Sequence, residues 1–277
     1  MLPNTLEQQK IASCLSSLDK IITSQTEKLE LLQNHKKGLM QNLFPQDGEK
    51  VPKFRFPEFL EDGYWKEERF DEVFEFLVTN SFSRENLNYE NGLVKNIHYG
   101  DIHTKFSTLF DITKEVVPFV NSDLPVERIR DECYCVEGDL IFADASEDLE
   151  DVGKSIEVVN LNKELLLSGL HTLLARQLEE KLVIGFAGHL FTSNDIRKKI
   201  KRESQGAKVL GISKTRIANI LISFPKNKLE QQKIVDCLSS LDNLIASQVA
   251  KIEQFKFHKK ALMQGLFPKI IQSLTAL

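Results

Sequence analysis

Long apolar runs are missing from this 277-residue sequence. None approaches the ~20 residues that a membrane-spanning helix needs, and no charged segment followed by a hydrophobic stretch opens the chain. The expectation is therefore a soluble, cytoplasmic protein with no membrane contact and no secretory leader. Cysteine is scarce, and Cys14, Cys133, Cys135 and Cys237 have no zinc-ligand spacing. The six histidines form no metal-binding pattern either. Gly153-Lys154-Ser155 resembles the end of a phosphate-binding loop, but Asp148 stands where a glycine is required, and no glycine-rich nucleotide fingerprint follows a strand. Catalytic constellations are absent, so a non-catalytic protein is expected. The acidic residues Asp144, Glu147 and Asp148 leave a metal-assisted nuclease as a remote alternative, and an exposed acidic loop is the simpler reading.

A surplus of one sign of charge is also lacking. With 36 Lys and Arg against 40 Asp and Glu the formal charge is −4, so nucleic-acid binding has to be argued from where the charges lie. Hydrophobic residues at 42% are enough for a substantial core, and the length suits one or two domains.

What is present is a duplication. Residues 6–45 recur as residues 229–268, with 26 identities in 40 positions and no gap. In each copy a seam alternates steps of four and three. It runs Ile11, Leu15, Leu18, Ile22, Gln25, Leu29, Leu32, Lys36, Leu39, Leu43, and again Ile234, Leu238, Leu241, Ile245, Gln248, Ile252, Phe255, Lys259, Leu262, Leu266. That spacing is the seam of a coiled coil. It predicts two helices of about 37 residues, each ~55 Å long at 1.5 Å per residue. The polar rungs Gln25, Lys36, Gln248 and Lys259 are expected to set register at some cost in stability. Connectivity predicts antiparallel pairing, with Gln25 meeting Gln248 near the middle and each lysine rung near an end, open to water.

Between the copies the pattern changes. Residues 1–46 are assigned to the first helix, 47–225 to a mixed domain and 226–277 to the second helix. The overall expectation is an α+β fold: one mixed domain flanked by two long paired helices. Strand-like runs lie at 94–97, 115–120, 139–143, 155–159, 165–167 and 171–175. Helices are predicted at 67–77 and 179–202, the second broken near 185–188. Residues 51–59 are bounded by proline and should run extended, with the sole tryptophan, Trp65, as anchor. Cys133 and Cys135 are placed in a strand, and Tyr99 to Asp101 in a loop between His98 and His103.

Charge is uneven within this domain. Residues 137–151 hold seven acidic residues and no basic one; residues 197–216 hold eight basic residues against Glu203. A basic helix followed by the Gln205-Gly206-Ala207 turn has the chemistry of phosphate contact, and a solvated helix face is the plainer alternative.

The repeat LEQQKI…LSSLD…HKK.LMQ.LFP, the run VPKFRFPEF with Trp65, and the patterns IHYGDI (97–102), GDLI (138–141) and QGAKVLGIS (205–213) resemble the specificity subunit of type I restriction-modification enzymes. The resemblance covers nearly the whole chain. It implies a target-recognition domain that reads one half of a bipartite double-stranded DNA target, two such domains being held apart by long antiparallel helices, and it implies methyltransferase subunits and, through the complex, a restriction subunit as partners. It also implies that S-adenosylmethionine, ATP and Mg belong to those partners. Under this reading the DNA contacts fall to Arg197, Lys198, Lys201, Arg202, Gln205, Lys208, Lys214, Tyr99 and His103, with Gln205 the base reader. Full-length members alternate two recognition domains with two helices, whereas this chain shows one domain. It is expected to be a C-terminal part or a single-domain variant, with a homodimer restoring two readers as the favoured state and a monomer whose two helices satisfy each other's seam as the competing one. The competing function is a coiled-coil interaction module that does not bind DNA.

Overall fold

The computed structural model describes residues 3–206 and 209–267. Helices α1 (Thr5–Leu43), α2 (Tyr99–Thr104), α3 (Phe186–Thr192), α4 (Asn194–Glu203), α5 (Lys214–Ala218) and α6 (Lys228–Leu266) lie among them. The strands are β1 (Lys66–Arg69), β2 (Phe74–Leu77), β3 (Leu87–Asn88), β4 (Val94–Ile97), β5 (Leu109–Asp111), β6 (Phe119–Val120) and β7 (Leu140–Ala143). They continue as β8 (Ala145–Ser146), β9 (Ser155–Asn160), β10 (Leu165–Ser168), β11 (Thr172–Gln177), β12 (Leu210–Gly211) and β13 (Leu221–Phe224). The chain divides into two compact units: Met40–Asp236, and the two helical arms outside that range.

In the helical unit the residues shielded from solvent follow the four-three ladder. Ile11, Leu15, Leu18, Ile22, Gln25, Leu29, Leu32, Lys36 and Leu39 are the covered rungs of α1, answered on α6 by Leu238, Leu241, Ile245, Gln248, Ile252, Phe255, Lys259 and Leu262. The helices run antiparallel: Gln248 bonds Gln25, Lys36 pairs with Asp242, and Lys259 pairs with Asp19. The two ion pairs are one contact of the repeat seen twice, since Lys259 and Asp242 are the repeat counterparts of Lys36 and Asp19. The lysine rungs are therefore not simply open to water; each closes on an aspartate across the seam. The final rung also breaks the repeat, because Leu43 is 1% exposed in the globular unit whereas Leu266 is 37% exposed.

The globular unit is built on a five-stranded sheet in the order β2-β11-β7-β9-β5. The pair β5–β9 is parallel and the rest antiparallel. Its central strand β7 reads Leu-Ile-Phe-Ala and is buried throughout, as a strand covered on both faces must be. Ile141 and Ala143 face one cluster with Ile97, Ile102, Phe110, Val158 and Leu174. Phe142 faces the other way, edge-on to Phe70 at 5.9 Å and Phe191 at 5.2 Å. Each such phenylalanine contributes roughly 1.5–3 kcal/mol by leaving water. A four-stranded sheet, β10-β4-β6-β3, and the pairs β1–β13 and β8–β12 complete the unit. Asn162 and Lys163, both at positive φ, lie in the turn that carries the chain from β9 in the five-stranded sheet to β10 in the four-stranded one, closed by the Glu164 amide on the Leu161 carbonyl at 2.8 Å.

The ends of the long helices that lie in this unit are firmly held. Glu230 accepts from Arg55 Nε at 2.8 Å, Arg55 Nη2 at 2.7 Å and Trp65 Nε1 at 3.1 Å. Gln231 accepts from the Val183 amide and donates to the Pro225 and Lys181 carbonyls. Trp65 thus anchors as expected, with Phe44 and Phe186 each 6.2 Å from its ring.

Several local expectations are corrected. Residues 67–77 form no α-helix: the spacing of Phe70, Val73, Phe74 and Leu77 imitates one, but only Phe70–Glu72 make a 3-10 turn, while β1 pairs with β13 and β2 with β11, partners about a hundred or more residues away. In the second predicted helix Gly185 marks the start at φ 92°, residues 179–184 stay outside, and the break falls at Ser193. Of 115–120 only Phe119–Val120 is strand. Cys133 closes a 3-10 turn and Cys135 lies beyond it, outside any named strand. Tyr99 to Asp101 form not a loop but the start of α2, capped by His98, whose Nδ1 accepts from the Gly100 amide at 3.1 Å.

Candidate nucleic-acid interface

The predicted contact residues come from two distant parts of the sequence, and the structure joins the central ones. The joint is the strand pair β8–β12, in which Ala145 faces Gly211 and Ser146 faces Leu210. On one side of β8, His103 Nε2 bonds the Ala145 carbonyl at 2.9 Å. On the other, Gln205 exchanges both main-chain hydrogen bonds with Gly211, at 2.9 and 2.7 Å. A concavity of 590 Å³ opens there, lined by Asp144, Ala145, Gln205, Gly211, Lys214 and Arg216 among others. Gly206 has φ 134°, and a Cβ there would come 2.0 Å from the Val209 carbonyl oxygen, so the turn after Gln205 requires glycine.

Tyr99 and His103 both stand on α2, with ring centroids 6.3 Å apart. That helix is fixed by Asp101, a buried carboxylate held by Arg84 at 2.8 and 2.9 Å and by Lys105 at 2.9 Å. Burial pushes the Asp101 carboxyl up, but the hydrogen bonds from Arg84 and Lys105 outweigh it and leave it below the ordinary aspartate range. His98 is held down by burial and by the nearby Arg84 charge. Arg84 and Lys105 also reach the Tyr89 hydroxyl, each at 3.1 Å, which extends an aromatic and cationic patch beside α2. Sequence reasoning missed Arg84, Tyr89 and Lys105; they belong to no motif and converge only through Asp101.

The basic run divides on inspection. Arg197 is spent inside the fold: its guanidinium donates to the carbonyls of Val152 at 2.7 Å, Glu150 at 2.8 Å and Gly153 at 3.1 Å, and burial lowers its pKa. Lys201 is paired with Glu150, Arg216 with Glu203, and Lys199 with Asp195. Lys214 donates to the Leu77 carbonyl at 3.1 Å and lies over the Phe76 ring. Lys198 is exposed, and Arg202 only approaches Asp47, at 3.8 Å. Lys208 lies outside the described residues. One side chain of the acidic stretch answers the basic one, Glu150 holding Lys201, while Asp151 pairs with Lys154 at 3.6 Å within its own segment. The GDLI motif has a structural task as well, since Asp139 accepts two bonds from Arg176, each 2.8 Å.

An α+β domain bearing such a patch, joined to a pair of duplicated antiparallel helices, defines the class of protein. The chain belongs to the type I restriction modification DNA specificity domain family, whose profile matches residues 63–256. It is 27% identical over 277 residues to the type I restriction enzyme MjaVIII specificity subunit of Methanocaldococcus jannaschii, covering 96% of this chain and 60% of that protein. Its fold is similar to that of the HsdS subunit from Thermoanaerobacter tengcongensis, with TM-score 0.56 at 16% identity, covering 96% of this chain and 59% of that one. The type I restriction-modification S subunit from M. genitalium is also similar, with TM-score 0.59 at 13% identity, covering 96% of this chain and 62% of that one. The chain thus spans about 60% of the length of the relatives it matches. Among the described residues no helix is long and apolar enough to cross a membrane.

Proposed function

We propose that this chain is a DNA-specificity subunit that reads one half of a bipartite target and positions methyltransferase subunits, and through them a restriction subunit, on double-stranded DNA. One observation carries the reading: the Gln205 turn, Lys214 and Arg216 line one concavity beside β8–β12, to which His103 of α2 is bonded through the Ala145 carbonyl, so a group suited to base edges and cations suited to phosphates share a face. Gln205 offers an amide that can pair bidentately with adenine, exposed Lys198 is a cation for phosphates, and Arg202, held only at 3.8 Å by Asp47, is a second. Under this proposal the work divides at 46/47 and 225/226, the central domain reading DNA and the helices meeting partner subunits. S-adenosylmethionine, ATP and Mg serve the chemistry of those partners. A second copy of the chain supplies the other reader, and the target halves are then inverted repeats. Because the apolar seams already face each other within one chain, such a dimer uses other surfaces.

A salt series tests the reading. Affinity for duplex DNA, measured with the methyltransferase partner present, should fall steeply with log salt, at about −0.9 per phosphate neutralised. Absence of binding to any duplex favours the interaction-module alternative. Light scattering over a range of concentrations tests the dimer: a monomer throughout removes it.

A further inference from the structure

His171 is the one described residue other than glycine with positive φ, at 56°, that does not sit in the Asn162–Lys163 turn. Histidine there is strained, and strain persists only where the surroundings impose it. They do: the Asp144 amide donates to the His171 carbonyl at 3.1 Å, and Ser168 and Thr172 hold the turn before β11 through hydroxyl contacts. Yet the ring is not used for packing, since its side chain remains 51% exposed. It is nonetheless fixed. Nδ1 lies 3.2 Å from Asp144 Oδ1, and the ring stands edge-on to Tyr99 at 5.4 Å. Asp144 also lines the concavity beside Gln205 and Lys214, so the imidazole borders the same face.

A carboxylate can only accept, so Asp144 holds the proton of the neutral ring on Nδ1 and leaves Nε2 as an acceptor. We propose that His171 is a specificity-determining residue whose Nε2 accepts a hydrogen from the exocyclic amino group of adenine or cytosine in the major groove, with Asp144 as its positioning residue. In that groove the adenine N6 and cytosine N4 amino groups are the only donors. The inference rests on the DNA-reading proposal above and adds the residue, the atom and the class of base.

The test uses the full chain with its methyltransferase partner, at pH 8 and fixed salt, selecting from duplexes randomised over the target length. Wild type should enrich adenine or cytosine at one position, and which of the two appears identifies the base. His171→Gly suits the positive φ and should fold with equal or higher Tm. It should randomise that position alone, leave the others unchanged and weaken binding to the preferred duplex about 5- to 100-fold. Asp144→Asn should relax the same position, because an amide can present either a donor or an acceptor to Nδ1. Unchanged enrichment by His171→Gly overturns the inference, as does a uniform loss across all positions with a reduced salt slope, which would mark a phosphate contact. Failure of the wild type to retain any duplex sinks the underlying DNA-reading proposal and the inference with it.

Discussion

Gln248 donates its side-chain amide to the main-chain carbonyl of Gln25 at 2.8 Å and to that residue's side-chain oxygen at 3.0 Å, and the two glutamines are one position of the repeat seen twice. The ion pairs Lys36–Asp242 and Lys259–Asp19 exchange under the same relation, so the helix pairing has an approximate internal twofold at the glutamines. A polar contact on that axis sets register, because sliding either helix breaks it and both ion pairs together.

Replacing both glutamines by leucine should raise thermal stability by a few degrees and loosen the register or association state. Gln25→Leu alone should cost about 1 kcal/mol, since it leaves the Gln248 amide short of an acceptor. Thermal melts with light scattering check both, and a clear loss of stability in the double variant would count against this seam.

Two copies of one glutamate should behave oppositely. Glu230 is buried against Arg55 and Trp65, whereas Glu7, its counterpart, is exposed. Glu230→Ala leaves the Arg55 charge buried without its partner and should cost about 3–5 kcal/mol. Glu7→Ala should stay within about 0.5 kcal/mol. Urea denaturation of the two variants measures the difference.

Glu157 gives a pH signature. It is buried and accepts from the Gly185 amide at 2.8 Å and the Gly188 amide at 2.6 Å. Burial raises its pKa from 4.5 to about 7, against the opposing pull of those two amides. A carboxyl raised in this way stabilises the fold while protonated. Its contribution, about 3 kcal/mol for a rise of this size, is complete below about pH 4.5 and lost as the pH climbs through 7. The Tm of the wild type should therefore fall between pH 4.5 and 7.5 relative to that of Glu157→Gln. Parallel profiles for the two proteins would remove the assignment.

The basic segment should act unevenly on DNA. Lys198→Ala should weaken binding to all duplexes alike and reduce the salt slope by about one. Lys201→Ala should do less, because Glu150 already neutralises it, and Glu150→Ala should strengthen binding by releasing that lysine. A shifted sequence preference in Lys198→Ala, with the salt slope intact, would reverse the roles given to affinity and base reading.

The linear sequence by itself determined what depends on neighbours a few residues apart. The four-three ladder marked the covered rungs of both long helices, apart from Leu266, and the short apolar runs marked β4, β7, β9, β10 and β11 to within about two residues. Tertiary structure decided whatever depends on partners far along the chain. Residues 67–77 carry helical spacing and became two strands because β13 and β11 supplied hydrogen bonds and Phe142 of β7 and Phe191 of α3 supplied aromatic cover. Identical Leu-Glu-Gln-Gln segments became a buried anchor at Glu230 and an exposed helix end at Glu7, because only one of them meets Arg55 and Trp65. The basic run looked like a single surface until the fold brought Glu150 and the Val152 carbonyl against it. His171 gave no signal at all, since its strain, its carboxylate partner and its aromatic neighbour exist only once β7, β11 and α2 are assembled.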